Sequence, residues 1–249
     1  MKVSFKIFNF NVFDIYKLLL LIFLLKVINY MKSVQVSVIV PIYNSEKYIG
    51  RCLRSLLKQT KDEEEYEIIV INDKSTDNSV KALSPFIDNI RYLENKKNIG
   101  LPGSLNKGIK EARGQYIVRV DSDDYVHWDY INILSMFLNL NNDYNAVACD
   151  YLLVDDQQNI ISQENCLKKP IGCGIMFKLD KLIDIGFYDE SFLAREDEEL
   201  SFRFKKKYNI ERVALPLYRY RKHSTNLTND VEKMSVYKKK LNKKNNINE

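Results

Sequence analysis

The chain has little with which to hold zinc or to staple itself covalently. Its four cysteines, Cys52, Cys149, Cys166 and Cys173, are scattered with no C-x-x-C spacing. That pattern indicates neither a zinc site nor a disulfide framework, and it reads as buried or idle thiols in a reducing compartment. Long apolar runs are scarce too. The run in "YKLLLLIFLLKVINYM" is eight residues, 18–25, between Lys17 and Lys26, against the roughly 20 that a spanning helix needs. No small-residue cleavage site follows it, which argues against a cleaved signal peptide, and nothing later in the chain is apolar enough to cross a bilayer. A glycine-rich basic phosphate loop is also missing after the first strand-like run, where "PIYNSEKY" stands instead; this disfavours a nucleotidyltransferase. Histidine is rare, and His127, beside Trp128, belongs to no motif and reads as structural.

The folded body lacks a basic excess. The net charge is +5, yet residues 1–32 carry five Lys against one Asp and residues 232–249 six Lys against two Glu, which leaves 27 basic and 30 acidic residues in 33–231. A nucleic-acid binder places its cations on the folded body, so that class is disfavoured. Basic ends suit an anionic membrane face, or are simply solvated tails. The N-terminal segment stays open between three readings: an interfacial helix, a marginal span with both lysines snorkelling, and an extension upstream of a start at Met31. The expected layout is an apolar and basic extension at 1–32, one globular domain at 33–230 and a basic tail at 231–249, at the cytoplasmic face of a membrane. Hydrophobic content of 45% and charged content of 29% are those of a globular protein, and this length supports a sizeable core.

From residue 34 the pattern alternates strand and helix. "VSVIV" (36–40) and "EIIVIN" (67–72) are buried, β-branched runs of the parallel type. Between them, after Ser45 as N-cap, Tyr48, Ile49, Cys52, Leu53, Leu56 and Leu57 recur at helical spacing. "STDNSVKAL" begins a helix, "IRYLE" (90–94) is a third strand, and "SLNKGIKEA" is a helix closed by Gly114 in a left-handed position. "QYIVRV" (115–120) is a fourth strand. Later come strand-like "AVACDYLLV", the glycine pair of "IGCGIMF", and a helix from about Glu196. Repeated strand–helix units predict an α/β fold with a mostly parallel, Rossmann-like sheet. The ligand crevice of such a sheet lies outside the carboxyl ends of its strands, and three polar clusters fall there: "PIYN", "NDKSTD" and "DSDD".

"RVDSDDY" (119–125) packs three carboxylates into four positions. In an extended segment Asp121 and Asp123 share a face, and such a pair suits a hard divalent cation that keeps positions open for phosphate oxygens. Asp124 reads as a cap for the following helix.

"VSVIVPIYNSEKYIGRCLRSLLKQT", "EIIVINDKSTDNS", "NIGLPGSLNKGIKEARGQYIVRVDSDD" and "REDEELSFRFKK" resemble, in order and spacing, the family 2 glycosyltransferases of the GT-A fold. The resemblance runs from about Val36 to Thr228. It implies a nucleotide-diphospho-sugar donor, usually a UDP-sugar, a Mg²⁺ or Mn²⁺ ion, and inversion at the anomeric carbon. It places Pro41, Tyr43 and Asn44 along the base and ribose, and Asp73 as acceptor of a hydrogen bond from uracil. Asn98, Gly100 and Asn106 match the family's N-x-G-x-x-x-A-R-N segment, where Leu105 stands in place of Arg. Asn72 and Lys74 replace the common Asp and Gly, and Lys takes a positive φ less easily than Gly. Asp121 would touch ribose or metal, Asp123 would be the main metal ligand, and His223, in "YRYRKHSTNLT", would bind the metal or the diphosphate. Asp197 would be the general base, with Glu196 binding acceptor or orienting the loop; Glu198 and Glu199 read as acids favoured by the helix dipole. The implied partners are the nucleotide-sugar donor and a saccharide or lipid-linked acceptor, as in cell-surface polysaccharide synthesis. The competing class is a non-catalytic sugar-nucleotide-binding scaffold, motivated by Leu105 and Lys74.

Overall fold

The computed structural model describes residues 12–31 and 33–246; the remaining parts of the expected N-terminal extension and C-terminal tail lie outside the described residues. The chain divides into two units, Met1–Ser33 and Val34–Glu249. The first holds helix α1 (Val12–Met31). Its side chains from 15 to 24 are all exposed. No described helix is long and apolar enough to cross a membrane.

In the second unit β1 (Val36–Ile42), α2 (Ile49–Leu56), β2 (Tyr66–Asn72), the single turn α3 (Ser79–Ala82), β3 (Arg91–Glu94), α4 (Leu101–Lys110) and β4 (Tyr116–Arg119) follow one another. Then come β5 (Tyr125–Val126), α5 (Tyr130–Leu140), β6 (Ala146–Val154), β7 (Ile160–Glu164), β8 (Ile175–Lys178), α6 (Leu179–Ile185), α7 (Glu196–Lys205), β9 (Ile210–Arg221) and α8 (Val231–Asn245). All nine strands form one sheet, in the order β3-β2-β1-β4-β8-β6-β9-β5, with β7 paired to β6. The first four strands are parallel, as the strand–helix alternation requires. The later strands make the sheet mixed: β8 runs antiparallel between β4 and β6, while β9 is parallel to β6. The α/β expectation holds, and the antiparallel half is the part whose sequence is least periodic.

Alternation within the strands divides the core. Val38, Val40 and Val118 pack on one face with Leu53 and Leu56 of α2, whereas Ile39, Ile69 and Ile71 pack on the other with Leu105 of α4 and Phe177. Leu105 is fully buried there, so the residue that departs from the family's Arg is a core residue of α4. Pro41 is tolerated in a central strand because the β1–β4 ladder stops at Ile39 and Arg119. Beyond that point β1 borders open space, which is where the site lies.

Four local expectations are corrected. Ser45 does not cap α2: its hydroxyl is within 2.7 Å of the Ser122 hydroxyl, and the helix enters through backbone bonds from Tyr48 and Ile49 to the Ser45 carbonyl. Asp124 does not cap α5, whose N-cap is Asp129. Gly114 is not left-handed; it is glycine because a Cβ there would come within 2.6 Å of the Ser37 amide nitrogen and 2.7 Å of the Val36 carbonyl carbon. Finally, residues 231–245 form a helix that packs on the domain: Leu241 is buried and the Lys240 and Lys244 ammonium groups lie 4.5 and 5.3 Å from the Phe192 ring centre. Gly114→Ala pushes backbone against backbone, and a loss of about 3 kcal/mol is expected in urea unfolding because neither strand can yield.

Candidate active site

The carboxyl ends of β1, β2 and β4 open into a cavity of about 680 Å³, closed on the far side by residues 170–173, the start of α7 and the segment after β9. Pro41, Tyr43, Asn44, Asp73, Asn98 and Gly100 line it, and so do Asp121, Asp123, Glu196, Asp197 and His223. Of the expected site residues, Asn106 alone does not. It is buried in α4, where its amide donates to the Tyr188 carbonyl and Glu190 and its oxygen accepts from the Tyr188 amide. Asn106 therefore anchors the loop that leads to α7.

The loops that follow β1 and β2 are tied to one another. Asn44 takes φ +51°, a conformation Asn tolerates better than most residues, and its side-chain oxygen accepts from the Thr76 amide at 2.8 Å. Glu46 accepts from the Asn78 amide while its own amide donates to Asp77. Lys74 adopts φ +63°, the left-handed backbone that glycine would take more cheaply, and its ammonium pairs with Glu94 at 3.1 Å. Buried Asp73 accepts from the Asn95 side chain and the Ile99 amide on one oxygen, and from the Gly100 amide on the other, each at 2.8 Å. It thus pins the entry to α4, where Gly100 has φ +82°.

Residues 121–124 form a turn, with the Asp124 amide donating to the Asp121 carbonyl at 3.1 Å. The segment is therefore a turn rather than an extended stretch, and Asp121 and Asp123 both line the cavity. Asp124 turns inward, accepting from the Tyr218 hydroxyl at 2.7 Å and the Arg221 amide at 2.7 Å. Burial, with Asp123 and Asp121 nearby, holds its carboxyl well above the usual range. Asp121 accepts on both oxygens from Arg119, at 2.6 and 3.0 Å. Arg119 reaches on to Glu196 at 2.8 Å. Asp123 points to the cavity, 2.9 Å from the His223 Nε2, with the Asn226 amide also on that oxygen. Tyr48 backs the His223 ring, 4.7 Å away.

Two clusters bring metal-ligating side chains together. The ligand atoms of Asp121, Asp124 and Cys173 gather within 4.8 Å, but burial keeps the Cys173 thiol well above its ordinary pKa and Asp124 is already saturated. Asp123 and His223 present a carboxylate oxygen and an imidazole nitrogen at one point of the cavity wall, a mixed donor set that fits Mn²⁺ better than the oxygen-preferring Mg²⁺ when phosphate oxygens complete it.

Helix α7 opens with four acids, Glu196 to Glu199. Three are committed: Glu196 to Arg119, Glu198 to Arg195, Glu199 to Arg203 and Lys244. Among the described residues Asp197 makes no ion pair. It faces the cavity, and burial raises its carboxyl above the usual range, with Arg119 opposing and Glu198 adding to the rise. Gly172, in the glycine pair, lies so close that a Cβ would sit 2.5 Å from the Cβ of Asp197.

A family model described as glycosyl transferase family 2 matches residues 37–244. The chain belongs to that family. A poly(ribitol-phosphate) β-glucosyltransferase of Bacillus spizizenii is 46% identical over 96 residues, 37% of this chain and 15% of the relative. Among solved structures, Staphylococcus aureus TarS 1–349 in complex with UDP-GlcNAc superposes with TM-score 0.70 at 22% identity, covering 83% of this chain and 65% of that one. The mannosyltransferase PcManGT of Pyrobaculum calidifontis, in complex with GDP-Man and Mn²⁺, superposes with TM-score 0.67 at 16% identity, covering 86% and 65%. These likenesses show the shared fold. The chain spans less than two thirds of each of these relatives.

The residues that motif reading missed are Arg119, Arg195, Arg221, Ser122, Cys173 and Tyr218. Arg119 had a signal: a charge inside a buried strand run demands partners. For Gly172→Ala in this family 2 domain, displacement of Asp197 is expected to lower turnover by about 100-fold, the scale of a 1 Å misplacement. A variant with normal turnover would break the link between Gly172 and Asp197.

Proposed function

We propose that this protein is an inverting glycosyltransferase that moves a sugar from a nucleotide-diphospho-sugar, in the first instance a UDP-sugar, to a hydroxyl of a saccharide or lipid-linked acceptor in cell-surface polymer synthesis. The observation that carries this reading is that the Asp123–His223 pair and the Asp197 carboxylate, which makes no ion pair among the described residues, line one cavity. The relative that acts on poly(ribitol-phosphate) and the structural neighbour holding UDP-GlcNAc support the substrate classes.

On this reading the base and ribose lie along Pro41, Tyr43 and Asn44, with Asp73 accepting from the base edge. Asp123 and His223 would hold the divalent ion, which, when bound, offsets negative charge on the departing diphosphate. Asp121, whose two oxygens serve Arg119, is assigned to position that guanidinium and to bound the ribose. Asp197 takes the proton of the acceptor hydroxyl as its oxygen bonds to the anomeric carbon and the bond to the diphosphate oxygen breaks. One displacement from the face opposite the leaving group inverts the centre. Glu196, fixed by Arg119, sets the first turn of α7 so that Asp197 projects into the cavity. The departures that motivate a non-catalytic scaffold are both absorbed by the fold: Leu105 fills the core and Lys74 accepts the positive φ.

A UDP-release screen over UDP-, GDP- and dTDP-sugars with and without acceptor tests the reading. Asp197→Asn should keep UDP affinity and lose at least about 100-fold in transfer, the usual weight of a general base. A base must be ionised, and burial raises this carboxyl, so the acidic limb of the pH profile should lie above that of an ordinary aspartate, activity falling as pH drops through it. Chelation of divalent cations should abolish transfer, Mn²⁺ or Mg²⁺ should restore it, and Asp123→Ala should resist restoration. Full turnover by that variant under chelation would remove the metal role.

A further inference from the structure

A second cavity, about 360 Å³ in volume, opens beside the first. Arg195 and Thr228 form its floor, and one face of α8 forms its wall. The wall residues Val231, Met234, Ser235, Lys238 and Lys239 follow helical spacing and run about 12 Å along the axis at 1.5 Å per residue. Arg195, Thr228 and Met234 line both cavities, so the two adjoin. Arg195 also stands two residues before Asp197 and donates from Nε to the Met234 carbonyl at 2.8 Å, which locks α8 to the start of α7.

The two spaces differ in charge. The first is lined by Asp73, Asp121, Asp123, Asp124, Glu196 and Asp197 against few cations. The second has Arg195, Lys238 and Lys239 in its lining and no acid. Glu198 pairs with Arg195 and stands 3.7 Å from the Lys238 ammonium, partly neutralising both. Lys239 pairs with no carboxylate among the described residues. Other lysines of α8 are spent on the domain: Lys240 on Ser191, Lys244 on Asp189 and Glu199. Of the α8 lysines that make no ion pair among the described residues, Lys239 lines this cavity and Lys233 lines the first. The rest of the lining, Thr228 and Ser235 hydroxyls with Val231 and Met234 side chains, suits a ligand with both hydroxyls and carbon faces.

We propose that this cavity is an acceptor subsite and that its ligand is a polyol phosphate, a hydroxyl-rich chain joined by phosphodiesters. The proposal rests on the transferase reading above and names its acceptor class. A neutral saccharide gives Lys238 and Lys239 nothing to pair with, whereas a phosphodiester chain brings one negative charge per repeat and a hydroxyl to Asp197. A flat lipid surface would meet the outer side of α8 and leave the concavity unfilled.

The test is binding to the full chain without donor, so it does not depend on turnover. Fluorescently labelled glycerol-phosphate and ribitol-phosphate oligomers, a neutral maltooligosaccharide of equal length, and phosphatidylglycerol vesicles are titrated at low salt, with UDP titrated separately. The phosphate oligomers are expected to bind and the neutral chain not to. Rising salt should weaken them, since attraction between exposed charges is screened. The double variant Lys238→Glu/Lys239→Glu should weaken binding by about tenfold or more, with Lys239→Glu in the same direction, because close charge pairs set such contacts. UDP affinity should be unchanged in both. Equal binding of the neutral chain, no effect of charge reversal, or binding to vesicles but to neither oligomer would overturn the proposal. Failure of the transferase reading would show differently, as absence of UDP binding and of UDP release from every sugar nucleotide.

Discussion

The site depends on one guanidinium. Arg119 is buried at the end of a central strand, where a cation is costly unless it is fully partnered, and it joins Asp121 of the acidic turn to Glu196 at the start of α7. Burial raises the carboxyls of Asp121, Glu196 and Asp197, and Arg119 works against the rise in each. A carboxyl whose pKa is higher in the folded state than in the unfolded chain stabilises the fold only at low pH; that contribution is lost as pH rises through the folded value. The acidic cavity is thus a standing cost near neutrality, and Arg119 limits it. The same side chain connects the sheet, which bears the proposed nucleotide end, to the helix that carries the proposed base.

Around that contact the fold divides its labour. The parallel strands β1 to β4 present three loops on one edge, and those loops are held to one another by Asn44, Glu46, Asp73 and Asp77 rather than by helix caps. The antiparallel strands and α8 build the opposite wall. Close approach substitutes for bulk wherever the walls meet: Gly114 admits β1, and Gly172 admits Asp197.

Much of this was legible in the sequence, for definite reasons. The runs 36–40 and 67–72 read as buried strands because they are uninterrupted and β-branched, and polar clusters at their ends located the crevice. Motif order identified the family. What was not legible depends on contacts between segments far apart in the chain. Asp124 was expected to cap a helix, but it is drawn inward by Tyr218 and Arg221, about a hundred residues away. Asn106 sits in a matching motif, yet its amide serves a loop 82 residues on. The 231–249 stretch read as a tail because its lysines mask a sparse apolar pattern, in which Leu241 supplies the buried contact.

Asp73 shows where such a design leaves no slack. Its carboxylate secures the two amides that open α4, and under the proposed function it also reads the nucleobase. Recognition and architecture then share a single residue, so any retuning of base preference in this chain falls to the crevice rim, at Tyr43 or Asn44, where a side chain can change without unfastening α4.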